Sequence, residues 1–485
     1  MGSEPGRLSQ NPSWEPMPKA PTADLSVTFA GIPSPNPFWL ASAPPTNCGE
    51  QVMRAFDAGW GGAIWKTIGE PIINVSSRYS SIDWNGQRMM GLNNIELISD
   101  RPIETNLREI AAVKKRYPKH AVIASLMVES KRSAWHEIVE RTENAGADGL
   151  ELNFGCPHGM SERGMGSAVG QVPEYTEMIT AWVKEKARTP VLVKLTPNIT
   201  DVRQIARAAK RGGADGLSAI NTINSITGID LDTLEPRPNV DGLSSHGGYC
   251  GPAIKPIALH MVHQLHSDTA WRLPLSGIGG IGTWQDAAEF LLLGCGTVQV
   301  CTAVMHYGYR IVEDLIDGLR NWMIEKGFYR IEDFRGRSAP KVTDWNRLNL
   351  NFKSVARIHE EKCIGCGLCY IACWDGAHQC IHLDRANPQA IAATPLEVES
   401  ASRARIAVTP IPRLDQDAAP GTQGPYATPL ARIPRVDEHE CVGCNLCSLV
   451  CPVDGCIMME RVENQLPRET WDDLVLRISQ NGKSC

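Results

Sequence analysis

Apolar residues fall along the first two-thirds of the chain in short unbroken runs, separated by longer stretches with helical spacing. Between about residues 25 and 318, eight such runs predict strands: 38–42 (FWLAS), 62–67 (GAIWKT), 121–127 (AVIASLM), 148–153 (DGLELN), 190–195 (PVLVKL), 215–220 (DGLSAI), 273–277 (LPLSG) and 297–301 (TVQVC). Most lack the polar–apolar alternation of a half-exposed strand, as parallel strands covered on both faces do. The segments between them read as helices. One is 200–211 (TDVRQIARAAKR), with Thr200 as N-cap and Gly212-Gly213 as the stop. The string GADGL occurs at 146–150 and again at 213–217, each time closing a helix and opening a strand. Eight βα units predict an α/β fold, a (β/α)8 TIM barrel, with a doubly wound open sheet as the alternative.

The pattern then changes. The expected division is a flexible N-terminal tail at 1–24, a barrel at 25–320, a connecting segment at 321–360, a cysteine-rich ferredoxin-like α+β domain at 361–460 and a C-terminal tail at 461–485. Inside the cysteine-rich part, 384–436 carries eight prolines and many alanines, and reads as an extended loop or wrapping arm.

Composition narrows the function classes. Of 485 residues, 42% are hydrophobic and 21% charged, so packed cores are expected rather than wholesale disorder. The net charge of −6 gives no reason to expect nucleic-acid binding. No apolar run reaches the roughly 18 residues of a membrane span. The N-terminal stretch has no secretory h-region, and the segment after Gly2 has no myristoylation hydroxyl at Gly6, so a cytoplasmic protein is expected.

The chain has 16 cysteines, and nine lie between Cys363 and Cys451. Without a signal peptide, these read as metal or catalytic ligands rather than disulfides. Cys363, Cys366, Cys369 and Cys373 stand in C-x2-C-x2-C-x3-C spacing; Cys441, Cys444, Cys447 and Cys451 repeat it, followed by Pro452. Three thiolates on one tight loop cover one face of a cubane, and the fourth is carried on the next helix to the other cluster. Cys363, Cys366, Cys369 and Cys451 are thus expected to hold one [4Fe–4S] cluster, and Cys441, Cys444, Cys447 and Cys373 the second. Structural zinc, the rival, normally uses two separated C-x2-C pairs. Cys380 and Cys456 fall outside both patterns and read as packing residues.

Barrel active sites lie at the carboxyl ends of the strands. Those ends carry Lys66 and Lys194, which suit the electron-rich pyrimidine edge of a flavin, or else a structural ion pair. Gly277-x-Gly279-x-x-Gly282 matches a dinucleotide fingerprint formally. However, it lies at the seventh strand, without an acidic ribose ligand at the right distance. A mononucleotide phosphate fits better, with the helix from about Trp284 aimed at it, so FMN is expected and neither NAD nor FAD has a visible site. Cys156 sits in a glycine-rich stretch, 155–170, that reads as a mobile lid; its thiol could act as general acid, or be a buried free cysteine. Cys48, Cys250, Cys295 and Cys301 read as buried thiols without a part in the chemistry. Asn94, Asn153 and Asn221 offer paired donors and acceptors to a planar lactam-type ring.

Taken together, these residues resemble the dihydropyrimidine dehydrogenase family, and within it the bacterial NAD-dependent, PreA-type subunit. The resemblance covers about residues 25–456 and rests on 92–98 (LNNIELI), 156–166, 194–198 (KLTPN), Asn221-Thr222 and both cluster motifs. It implies that Ser42, Lys66, Thr67, Lys194, Gly251, Gly279, Gly280, Cys301 and Thr302 contact FMN. It implies that Asn94, Asn153, Asn221 and Thr222 hold uracil or thymine. Cys156 would protonate C5 while reduced FMN delivers hydride to C6, giving the 5,6-dihydropyrimidine. NAD(H) and FAD would lie on a PreT-type partner subunit, in a hetero-oligomer of two copies of each. Two departures stand out: many members have Ser where this chain has Gly155, and the insertion between the cluster motifs is longer than usual. The alternatives are a dihydroorotate dehydrogenase-like FMN enzyme and a non-enzymatic electron-transfer module.

Overall fold

In the computed structural model, the described residues are 22–70, 72–157, 164–385 and 432–480, less the side chains of residues 384, 385, 432 and 433. They separate into two compact units, with the division after Val342.

The first unit is a closed barrel. Its strands are β1 (Phe38–Leu40), β2 (Gly62–Ile68), β3 (Ala121–Leu126), β4 (Gly149–Asn153), β5 (Val191–Lys194), β6 (Gly216–Ala219), β7 (Leu275–Ile278) and β8 (Thr297–Val300). All neighbours pair in parallel and in chain order, and β8 lies beside β1. Closure excludes the open sheet. Every residue of the eight strands is buried, which is why their sequences do not alternate.

The outer ring is α1 (Gly49–Ala58), α2 (Ile103–Arg116), α3 (Arg132–Asn144), α4 (Pro173–Lys184), α5 (Val202–Arg211), α6 (Lys255–Ser267), α7 (Trp284–Leu292) and α8 (Ile311–Glu325). The N-cap of α5 is Asp201, one residue later than expected: its carboxylate accepts the Arg203 amide at 3.0 Å. A hairpin, Val27–Phe29 with Ile32–Ser34, packs Phe29 and Ile32 against Trp39, Ile64, Ile123 and Leu192 in a core separate from the strand–helix layer.

Several boundaries move. Residues 22–24, expected as tail, are anchored: Ala23 is buried, and the Asp24 amide donates to the Tyr329 carbonyl at 2.8 Å. Residues 1–21 lie outside the described residues. The segment 321–360 divides between the units. Trp322, Phe328 and Phe334 pack together in the first, and Lys353–Ile358 is a strand of the second.

In the second unit, Lys353–Ile358 pairs antiparallel with Ile457–Val462, and Ile381–Arg385 with Arg432–Val436. Both ends of the proline-rich insertion are therefore ladder strands rather than loop; residues 386–431 lie outside the described residues. The expected C-terminal tail is folded as well. Trp471–Gln480 is a helix, Trp471 packs on Trp345 at 6.2 Å, and the Leu350 amide donates to the Glu469 carbonyl at 2.8 Å. No helix among the described residues is long and apolar enough to cross a membrane.

Tight packing beneath α6 produces a pH-sensitive group. A Cβ at Gly294 (φ +110°) would lie 2.1 Å from the His266 ring, so only glycine leaves room for it. Burial, helped by Arg272, lowers the His266 pKa to about 4. The unfolded chain then binds a proton more readily between pH 4 and 6.5, so this contribution to stability is full above 6.5 and is lost as pH falls toward 4. A His266→Gln variant should show a shallower loss of urea-midpoint stability over that window. An unchanged pH slope would contradict the assignment.

Candidate active site and cluster-binding module

A cavity of about 440 Å³ opens at the carboxyl ends of the barrel strands, within the size range of small-molecule sites. Ser42, Lys66, Thr67, Asn94, Asn153, Cys156, Lys194, Asn221, Thr222, Gly251, Gly279, Gly280, Cys301 and Thr302 all line it. Contiguous hydrogen bonds join several of them. Ser42 and Thr67 hydroxyls are 3.1 Å apart; Asn153 Nδ2 donates to Thr67 Oγ1 at 2.9 Å, and Asn221 Nδ2 to Asn153 Oδ1 at 2.9 Å. Asn221 Oδ1 in turn accepts the Thr222 amide at 2.9 Å. This belt crosses from β1 through β2 and β4 to the end of β6 and fixes the carboxamide orientations.

Above the strand ends lies a four-stranded antiparallel sheet, in the order Ile223–Ser225, Gly247–Cys250, Gln87–Asn94, Tyr79–Trp84. Asn94 therefore ends a strand rather than sitting on a loop. The signal for this sheet is Asn85-Gly86, a two-residue hairpin turn in which both residues have positive φ, +49° and +79°.

The two lysines are differently paired. Lys66 is buried and contacts Glu96, which also accepts from Arg78 at 3.2 Å and from the Tyr79 hydroxyl at 2.5 Å. Burial, and then the bond to Glu96, push the Tyr79 pKa up, so Tyr79 remains a neutral donor. Lys194 Nζ is 3.9 Å from Glu151 Oε1, inside the barrel. Glu151 Oε2 accepts from Gln299 Nε2 at 3.4 Å, and Gln299 Nε2 also reaches Ser218 and Ser276 at 3.1 Å. The sequence named neither carboxylate, because each comes from an element distant from its lysine.

Cys156 is buried with Ile98, Met127 and Met165, and its Sγ is 3.6 Å from the Leu97 carbonyl. Asn221 packs directly on Gly155: a Cβ there would lie 2.6 Å from Asn221 Cβ and Nδ2. Residues 158–163 of the expected lid lie outside the described residues. Cys250 and Cys301 also line the cavity, although the sequence suggested no chemistry for them; burial raises both pKa values and keeps both as thiols.

At the far side of the cavity, Gly279 and Gly280 have φ of +131° and +74° and present bare backbone. The start of α7 is not open, contrary to expectation. Thr283 and Asp286 form a capping box, and Asp286 also takes the Gly282 amide at 3.0 Å. The starts of Thr302–Tyr307 and of α6 also lie at the cavity, and neither has a side-chain cap.

In the second unit the thiols ring two small cavities. Cys363, Cys366, Cys369 and Cys451 line one; Cys373, Cys441, Cys444 and Cys447 line the other. These are the two sets that the spacing predicts, each with its fourth member contributed by the other motif. Among the described residues, no three His, Cys, Asp or Glu side chains are arranged to hold a single metal ion. Cys456 joins the first cavity and Cys380 the second, and both are also buried in the unit's apolar core.

Known proteins agree with both halves. The dihydroorotate dehydrogenase family profile matches residues 24–323, and the 4Fe-4S dicluster domain profile matches 362–456. The NAD-dependent dihydropyrimidine dehydrogenase subunit PreA of Escherichia coli is 46% identical over 360 residues, 74% of this chain and 87% of that protein. This chain belongs to the dihydropyrimidine dehydrogenase family. A chloroplastic NADP(+) dihydropyrimidine dehydrogenase of Arabidopsis thaliana is 47% identical over 332 residues, 66% of this chain and 78% of its own length. The catalytic subunit of dihydroorotate dehydrogenase B from Pyrococcus abyssi is 36% identical over 316 residues, covering 64% of this chain and 98% of its own. Dihydropyrimidine dehydrogenase-family membership makes the protein an oxidoreductase whose TIM barrel is followed along the chain by a 4Fe-4S dicluster domain.

In this dihydropyrimidine dehydrogenase-family barrel, Lys66 depends on one carboxylate. Removing it strands a buried ammonium beside Arg78. Glu96→Ala should lower barrel stability by about 3–5 kcal/mol in urea unfolding followed by tryptophan fluorescence. A loss under about 1 kcal/mol would show that solvent already neutralises the pair.

Proposed function

We propose that the chain reduces the 5,6 double bond of uracil and thymine to 5,6-dihydropyrimidines. The observation that carries this is the meeting of Asn94, Asn153, Asn221 and Thr222 with Cys156 in one cavity, the Asn153 and Asn221 carboxamides oriented by a shared hydrogen-bond belt and that of Asn94 by the Glu96 amide.

The cavity suits FMN. Lys66 and Lys194 line it and would suit the electron-rich pyrimidine edge of a flavin, and the bare backbone of Gly279 and Gly280 would let a phosphate approach. Ser42, Lys66, Thr67, Lys194, Gly251, Gly279, Gly280, Cys301 and Thr302 would hold it, and FMN supplies hydride chemistry when bound. The thiol sets Cys363/Cys366/Cys369/Cys451 and Cys441/Cys444/Cys447/Cys373 would each hold a [4Fe–4S] cluster, which supplies one-electron transfer.

The chain's own residues then have distinct tasks. The carboxamides of Asn94, Asn153 and Asn221 match the alternating C=O and N–H groups of the pyrimidine ring and set its plane. Cys156 Sγ carries a proton in a dry apolar pocket and delivers it to C5; solvent restores it after product leaves. Tyr79 and Arg78 keep Glu96 occupied, so that carboxylate does not compete for the ring N–H groups. NAD(H) and FAD belong to a PreT-type partner, in a complex of two copies of each subunit. That assembly fits the cytoplasm, where thiols stay reduced.

A second reading, oxidation or reduction at the dihydroorotate level, draws on the profile that matches 24–323. One experiment separates them. The cluster-replete protein is reduced anaerobically without partner, and flavin absorbance is followed as uracil, thymine or orotate is added. Rapid reoxidation by uracil or thymine, with dihydropyrimidine formed, is the expected result. Reoxidation by orotate alone would replace this proposal with the second reading. Cys156→Ala should lower turnover by about 10²–10⁴-fold while retaining pyrimidine binding; unchanged turnover would remove Cys156 from the chemistry. Lys194→Ala should release FMN more readily, and full flavin content at normal turnover would refute its role.

A further inference from the structure

The two halves of the second unit place an extra thiol at equivalent points. Cys373 ends its motif on the helix Leu368–Trp374, and Cys380 immediately precedes the strand Ile381–Arg385. In the other half, Cys451 follows the short helix Leu446–Leu449, and Cys456 immediately precedes the strand Ile457–Val462. Both extra residues are buried.

Each one faces into a cluster cavity rather than into the apolar packing alone. Cys380 Sγ is 3.4 Å from Cys373 Sγ, and both line one cavity with Cys441. Cys456 lines the other cavity with Cys363 and Cys451, and its Sγ is 3.8 Å from the His359 carbonyl. Their backbones are fixed: the Cys380 carbonyl accepts the Asp437 amide at 2.7 Å, and the Cys456 amide donates to the Val453 carbonyl at 3.2 Å. Each cavity therefore holds one thiol more than a four-iron cluster coordinates.

We propose that Cys380 and Cys456 are reserve cluster ligands, each able to take the iron otherwise bound by Cys373 or Cys451. The inference rests on the ligand assignment under Proposed function. In the exchange, the iron–sulfur bond to Cys373 is replaced by one to Cys380, and the Cys380 thiol proton passes to the released Cys373 thiolate, which becomes the free thiol. No electron is transferred and the cluster keeps four ligands. A side-chain rotation suffices, because the two sulfurs already lie in contact.

The test uses the full chain, reconstituted anaerobically, with iron and sulfide counted and the reduced protein examined by electron paramagnetic resonance. Wild type and Cys380→Ala should each contain about eight irons per chain. Cys373→Ala should also keep about eight, with altered g-values for one cluster, whereas Cys373→Ala/Cys380→Ala should fall to about four. Cys451→Ala and Cys451→Ala/Cys456→Ala should behave in the same way. In the double variants the remaining cluster reports that the module is folded. If Cys373→Ala and Cys451→Ala lose as much iron as the corresponding double variants, the reserve role is wrong. If wild type itself lacks two four-iron clusters, the underlying ligand assignment fails first.

Discussion

Two ammonium groups are buried at the carboxyl ends of β2 and β5, and much of the barrel mouth is organised by what that burial demands. Lys66 and Lys194 are 6% and 5% exposed. An ion taken out of water that far is tolerated only beside an opposite charge with its remaining hydrogen-bonding capacity filled. For Lys66 the answer is Glu96, held in turn by Arg78 and Tyr79 from the roof sheet. For Lys194 the pairing is looser: Glu151 Oε1 lies 3.9 Å away without a hydrogen-bond partner, while Oε2 is tied to the Gln299–Ser218–Ser276 network inside the barrel. The roof and the interior are thus locked to the strand ends by charge, and the Ser42–Thr67–Asn153–Asn221 belt runs between the two anchors. A cationic, hydrogen-bond-rich cavity with fixed carboxamides is the consequence.

The barrel was readable from sequence because its strands are buried on both faces, which leaves unbroken apolar runs that nothing else in the chain imitates. All eight run positions coincide with strands. The roof sheet escaped because Tyr79–Trp84 is mostly exposed and Gln87–Asn94 breaks its apolar residues with Gln87, Arg88, Asn93 and Asn94. Only the Asn85-Gly86 turn announces them. The C-terminal segment read as a tail because 461–470 is polar, yet its backbone is captured by Asn349 and Leu350 of a strand-leading segment more than a hundred residues earlier. Such long-range capture leaves no local periodicity to detect.

At the candidate site, chemistry-bearing residues at strand ends were legible because βα topology converts a strand end into a wall of the mouth. Their partners were not. Glu96 and Glu151 look like ordinary acids in sequence; the roof sheet brings the first to Lys66, and pairing of β4 with β5 the second to Lys194. The helix at Trp284 illustrates the opposite error: position suggested an open anion-binding terminus, while Thr283 and Asp286 satisfy its amides locally. In the second unit, the thiols that the spacing rule groups line two separate cavities. Counting to four left Cys380 and Cys456 unassigned, although the fold returns both to the same cavities.

The central claim is that a pyrimidine sits among the carboxamides with its C5 edge toward Cys156. A crystal structure of the FMN-loaded protein with bound uracil tests it most directly. The account predicts ring oxygen and nitrogen atoms in hydrogen-bond reach of Asn94, Asn153, Asn221 and Thr222, with Cys156 Sγ the nearest donor to C5. Uracil bound elsewhere, or turned so that C5 faces away from Cys156, would contradict it.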